Sequence, residues 1–285
     1  MGNFISHIKK YIYSDSKTKL NSTYIENNIC MKRMFTNINP RKKALVIGIN
    51  YISNNKNNDD LQGCVNDANN IKYFLNKRCF FSKDQITSLM NEKASKRNII
   101  KELNNIIDYS INNKYSEIWL SYSGHGTQKH SFFEKDNKSE VICPSDYKKS
   151  GYISDSFLQK EFVEKLDSTT KIFILTDCCN SGSNFNLPYH YENGSDIMRE
   201  HNYKTKLCTI IKLSGCQDDQ TSMDYFDFSE QEYQGALTNV FLKQNHYKSI
   251  FDNIIPINSS LKKQNFEQLP VISYTALECK EITLI

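Results

Sequence analysis

Two short stretches of the 285-residue chain hold residue types that together perform acyl transfer. One is Ser121-Tyr122-Ser123-Gly124-His125-Gly126-Thr127-Gln128, and the other is Thr176-Asp177-Cys178-Cys179-Asn180-Ser181-Gly182. A thiolate attacks a carbonyl, and a nearby imidazole takes the thiol proton and later protonates the leaving amine. The glycines beside His125 let backbone approach a substrate, and the Gly126 N–H is a candidate oxyanion donor. This chemistry calls for no cofactor. A lone histidine or cysteine is more often a loop cap or core packing. Here the glycine-flanked His125 and the cysteine pair, 54 residues apart, each follow an apolar run that reads as a strand, which points to catalysis. Neighbouring side chains of an extended segment point to opposite faces, so only one of Cys178 and Cys179 can face His125.

The elements that must position these groups alternate along the chain. Short apolar runs at Ala44–Ile49, Gln85–Leu89, Glu117–Tyr122, Lys171–Thr176, Leu207–Leu213 and Pro270–Tyr274 read as strands. Between them, Ala68, Ile71, Phe74 and Leu75 mark a helix that Asn66-Asp67 would cap, and Ile99, Leu103, Ile106 and Ile107 mark one capped by Ser95. Further helices are expected from Ser154-Asp155 through Leu166 and over Gln234–Leu242. The pattern predicts an α/β fold: a mostly parallel central sheet of about six strands with helices on both faces. Ligands of such sheets sit beyond the carboxyl ends of the strands, where His125 and the cysteine pair fall.

Composition narrows the function classes. At 39% apolar and 12% aromatic residues the chain is not wholly disordered. No apolar run approaches the roughly 20 residues of a membrane span. Ten glycines and five prolines without an internal period exclude collagen and repeat arrays. A net charge of +4 with interspersed acids speaks against a nucleic-acid partner. The nine cysteines include no CxxC pair, and no apolar leader precedes them, so reduced thiols in a cytoplasmic setting are expected.

Six collinear blocks carry a family resemblance. They are Ala44-Leu45-Val46-Ile47-Gly48-Ile49-Asn50-Tyr51, Leu61-Gln62-Gly63-Cys64-Val65-Asn66-Asp67-Ala68, Ser123-Gly124-His125-Gly126, Asp177-Cys178-Cys179-Asn180-Ser181-Gly182, Ser214-Gly215-Cys216-Gln217-Asp218-Asp219-Gln220-Thr221-Ser222 and Gln234-Gly235-Ala236-Leu237-Thr238. From Lys42 to Tyr274 the chain resembles a type I metacaspase catalytic domain, one of the caspase-like cysteine peptidases. The nucleophile signature of animal caspases is absent. The resemblance implies a caspase-like fold with Cys179 as nucleophile, His125 as general acid/base, and the Gly126 and Cys179 amides as oxyanion donors. It implies that Asp67, Asp177, Asp224 and Ser123 line a pocket for Arg or Lys before the cleaved bond, since carboxylates favour a cation and reject Asp. A helix N-cap is an equally good reading of Asp67. Asp218 and Asp219 read as surface loop residues. Expected partners are therefore protein or peptide substrates.

Many members of that family bind calcium through an acidic cluster. The corresponding positions here read Ser139, Asp155, Ser156 and Asn186, with Glu140 beside the first. One acid among them leaves little charge to offset calcium dehydration, so these positions are degenerate and weak calcium dependence is expected. Residues 1–41 read as a polar arm with a short helix near Phe4–Tyr13, and 42–285 as the peptidase domain. That domain divides into 42–185, a polar linker at 186–206 that could hold a self-cleavage site, and 207–285. Met1-Gly2-Asn3-Phe4-Ile5-Ser6 fits the N-myristoylation pattern, which makes Gly2 a candidate acylation site. Lys9, Lys10, Lys17 and Lys19 would assist peripheral membrane contact. The competing expectation is a catalytically weak caspase-like regulatory module anchored by the acylated arm.

Overall fold

The computed structural model describes residues 32–52, 60–130, 138–192, 194–198, 203, 206–217 and 224–285. Four runs of apolar residues buried on both faces form its centre, as parallel strands covered on two sides must. They are β1 (Lys42–Gly48), β3 (Glu117–Ser123), β4 (Lys171–Asp177) and β7 (Thr209–Ser214). The half-buried β2 (Ile86–Met90) closes one edge. Beyond β7 lie β8 (Val271–Tyr274), β5 (Tyr189–Glu192) and β6 (Ser195–Met198). The order is β6-β5-β8-β7-β4-β3-β1-β2; the five strands from β7 to β2 are mutually parallel and the other three pair antiparallel. This is the mostly parallel α/β sheet expected, extended by the β5–β6 hairpin. That hairpin falls in the stretch read from sequence as a linker, and Leu187 before it is fully buried.

Alternation along the strands feeds two cores. Ala44, Val46, Trp119, Phe173, Leu175, Ile211 and Leu213 face helices α1 (Cys64–Lys77), α3 (Ala236–Leu242) and α4 (Ile250–Lys263). Leu45, Ile47, Ile118, Leu120, Ile172, Ile174 and Ile210 face helix α2 (Lys96–Asn112) and the helical turns of 155–165. Trp119 is the centre of the first core, ringed by Phe35, Phe74, Phe173 and Phe241 at centroid distances of 5.0–6.1 Å.

Three expectations change. The arm does not run loosely to residue 41: Lys32–Arg33 pairs in parallel with Ile282–Thr283, and Met34 and Phe35 are buried in the core. Helix α1 begins at Cys64 rather than behind an Asn66-Asp67 cap, which places Asp67 inside the first turn. Helix α4, unanticipated, carries Ile250, Ile254, Ile257 and Leu261 on one stripe despite Pro256 within it. Gly2, the Phe4–Tyr13 segment, the arm lysines, Asp218 and Asp219 lie outside the described residues.

Candidate active site

Strands β3 and β4 are neighbours, with Ser123 in register with Asp177. His125 and Cys179 each stand two residues beyond that pair, so the sheet brings the two loops that carry them to one edge. The two loops touch through backbone: a Cβ at Gly126 would lie 2.1 Å from the Cys179 carbonyl oxygen and 3.1 Å from Cys178 Sγ. Only glycine fits there.

The cysteine pair divides as strand geometry requires. Cys178 is 1% exposed and belongs to the α2-side core, where burial pushes its thiol well above the ordinary range. Cys179 is half-buried and opens the turn, and Asn180 after it adopts a left-handed conformation with φ 50°. Of the two, Cys179 has the access that a nucleophile needs.

His125 is held by a pair of tyrosines that sequence reading did not single out. The Tyr51 ring packs against the imidazole at 4.5 Å between centroids, and its hydroxyl accepts the His125 N–H at 3.0 Å. The Tyr122 hydroxyl donates to the His125 carbonyl at 2.8 Å and accepts the Cys143 N–H at 3.2 Å. Burial raises the pKa of both phenols well above normal, so they serve as neutral hydroxyls. Tyr51 closing the first strand and Tyr122 ending the third were the available signals.

Asp67, Asp177, Ser123 and Asp224 lie near one another at this edge. The Asp67 carboxylate is 1% exposed and accepts the Gly235 N–H at 2.9 and 3.1 Å, which replaces the capping role considered for it. Asp177, 6% exposed, accepts the Thr238 N–H at 2.8 Å. A Cβ on Gly235 would lie 2.3 Å from Asp177 Oδ2 and 2.6 Å from Asp67 Oδ2, so both acids close on one backbone point. Ser123 hydrogen-bonds to Asp67. Asp224 begins the Asp224–Asp227/Glu232–Gly235 hairpin and accepts the Gln62 and Gly63 N–H groups at 2.7 and 3.0 Å. Burial first, and the neighbouring Asp177 second, push the Asp67 pKa well up; burial also raises that of Asp224. The Gly235 and Thr238 amides open helix α3, where N–H groups seek acceptors.

The positions tied to calcium lie elsewhere. Asp155 is buried, and its Oδ1 accepts the Ser139 hydroxyl and the Ser156 N–H, both at 2.6 Å. Glu140 accepts from Gln128 Nε2 at 3.1 Å across the Gly126–His130/Lys138–Ile142 hairpin. Asn186 is buried with φ 47°. Among the described residues, no group of three His, Cys, Asp or Glu side chains is placed to hold a metal ion.

Residues 42–188 match the family model described as metacaspase, peptidase C14 domain. The chain is 34% identical over 196 residues to metacaspase-1 of Plasmodium falciparum, covering 65% of this chain and 31% of that protein. It is 30% identical to metacaspase-2 of Arabidopsis thaliana, covering 72% of this chain and 52% of that one. Against metacaspase-1 of Meyerozyma guilliermondii it is 27% identical over 86% of this chain and 72% of the relative. The chain thus spans about a third of the Plasmodium relative and about half of the Arabidopsis one. A crystal structure of a Geobacter sulfurreducens protein shares the fold, with a TM-score of 0.56 at 21% identity over 83% of this chain and 94% of that one.

Proposed function

The chain belongs to the metacaspase, peptidase C14 family, and we propose that it is a cysteine endopeptidase that cleaves proteins after Arg or Lys. Cys179 is the nucleophile. His125 takes its proton, and the thiolate attacks the carbonyl carbon of the scissile bond. The resulting oxyanion lies against the Gly126 and Cys179 amides. His125 returns the proton to the leaving amine, then activates water to hydrolyse the acyl-enzyme. The convergence of Asp67 and Asp177 on Gly235, with Ser123 bonded to one of them and only two residues from His125, carries this reading. Three acids gathered in a largely desolvated site favour a substrate cation and repel a carboxylate. Activity depends little on calcium, because the Asp155 carboxylate already accepts from neutral donors.

The test is turnover of matched fluorogenic peptides ending in Arg, Lys or Asp. Arg and Lys peptides are cleaved and the Asp peptide is not; efficient cleavage after Asp overturns the specificity. A folded chain that turns over none of the three supports the regulatory-module alternative. We further propose a cytoplasmic protein with peripheral membrane contact through myristoylated Gly2. Labelled myristate enters the wild type and not Gly2→Ala, and the absence of label in cells with an active transferase refutes it.

A further inference from the structure

A lysine inside a buried parallel strand needs an explanation, because an ammonium leaves water only where donors find acceptors. Lys212 sits in β7, in register with Ile174 of β4 on one side and Ser273 of β8 on the other, and is 0% exposed. Its side chain points to the face built from Ile172, Ile174 and Ile210, where an aliphatic residue would be routine. The Nζ donates to three backbone carbonyls: Ser181 at 2.8 Å, Gly182 at 3.1 Å and Asn184 at 2.7 Å. The Gly182 carbonyl also accepts the Ser273 hydroxyl at 3.2 Å. All three carbonyls lie two to five residues beyond Cys179.

The loop they belong to follows an unfavourable path. Asn180, Phe185 and Asn186 have φ values of 50°, 71° and 47°, and a bulky residue such as Phe185 adopts that region only when its surroundings impose it. Three carbonyl dipoles turned toward one point repel each other unless a cation stands between them. Lys212 supplies that charge from the rigid sheet, with its Nζ 5.9 Å from the Phe185 ring.

We propose that Lys212 is a positioning residue for Cys179: its buried ammonium gathers the Ser181, Gly182 and Asn184 carbonyls and thereby fixes the turn that carries the nucleophile. This rests on the reading of Cys179 as the attacking thiol. Lys212 acts through this loop; removing its charge takes the shared donor from the Ser181 and Asn184 carbonyls and leaves Gly182 with the Ser273 hydroxyl, and the loop must shift to find others. A displacement near 1 Å at a nucleophile lowers turnover by about 100-fold while leaving the specificity pocket intact.

The test compares wild type, Lys212→Met and Lys212→Gln. Met matches the length without charge, and Gln returns two N–H donors. Three readouts are needed: kcat and KM on an Arg peptide, the rate of iodoacetamide alkylation of Cys179 read by peptide mass spectrometry, and far-UV circular dichroism. Lys212→Met is expected to lose about tenfold to 100-fold in kcat with KM within about twofold, to alter Cys179 alkylation several-fold, and to keep its secondary structure. Lys212→Gln falls between it and wild type, and carries the comparison alone if the Met protein does not fold. Folded variants with wild-type kcat and alkylation rate, or with a lower melting temperature as their only change, overturn the proposal. The alkylation readout needs no turnover. A wild type inactive on every basic peptide therefore defeats the peptidase reading while Cys179 alkylation still judges Lys212.

Discussion

Two neighbourhoods of buried acid, one beside the candidate active site and one away from it, solve the same physical problem differently. Around Gly235, Asp67 and Asp177 close on a single backbone point, with Asp224 at the rim, and their hydrogen bonds come from backbone amides and the Ser123 hydroxyl. Neutral donors offset only part of the cost: burial first, and the Asp177 charge second, push the Asp67 pKa up. Around Asp155 a single carboxylate is met by a hydroxyl and an amide at 2.6 Å each. A site that gathers acids against their mutual repulsion is built for a cation from outside, whereas one acid with matched neutral donors is complete in itself. On the proposed function the first receives the basic side chain of a substrate, and the second holds no metal.

The largest expected effects concern the groups that the pocket serves. Cys179→Ala and His125→Ala each lower turnover of an Arg peptide by on the order of 1000-fold or more, while Cys178→Ala keeps most of it. Loss in Cys178→Ala with retention in Cys179→Ala would reverse the assignment. Next, Asp177→Asn lowers kcat/KM on Arg peptides by about 30-fold or more, the scale for losing one partner of a buried charge pair. Asp155→Asn stays within about threefold. Equal losses in the two variants would remove the distinction drawn between the neighbourhoods.

Protonation sharpens the contrast. Burial and Asp177 raise the Asp67 pKa, so the folded chain keeps a proton that the unfolded chain releases above about pH 4. The associated stability is therefore full at and below that pH and is lost as pH rises through the raised value. Asp67→Asn should flatten this part of the stability curve, as read by urea unfolding between pH 4 and 7. An arginine-bearing competitive inhibitor should stabilise the chain more as pH rises, because its cation favours the ionised form of the acids. An inhibitor-induced shift in melting temperature that does not change with pH would contradict a carboxylate-lined pocket. The smallest expected effect is that of calcium: millimolar calcium or a chelator changes turnover by less than about twofold, the chain keeping one acid where charge sets affinity. A saturable activation lost in Asp155→Ala would show a working metal site.

What could be read from sequence was what short segments impose. The apolar runs Glu117–Tyr122 and Lys171–Thr176 marked two strands, and the structure pairs them in parallel with equal offsets to His125 and Cys179. The gathering of Asp67, Asp177 and Asp224 was legible only through the family resemblance, because they come from a helix, a strand end and a hairpin separated by 110 and 47 residues. Tyr51 and Tyr122 escaped notice because their contacts with His125 are tertiary and each tyrosine alone looks like strand packing. Helix α4 was overlooked because Pro256 interrupts a stripe that tertiary burial nonetheless sustains. The β5–β6 hairpin looked like linker because its polar residues find partners across the sheet: Tyr274 donates to Asp196 and Lys280 pairs with it. Lys212 broke the apolar pattern of its strand, and that irregularity was itself a signal.

The most direct test uses a peptidyl-arginine acyloxymethyl ketone, which alkylates a thiol only after its basic side chain is seated beside it. Intact-mass and peptide mapping should show one adduct, on Cys179, blocked by excess Arg peptide and absent in Asp177→Asn at the same reagent concentration. The matched peptidyl-aspartate reagent should leave the protein unlabelled. Labelling on Cys178, or equal labelling by the aspartate reagent, would contradict the account.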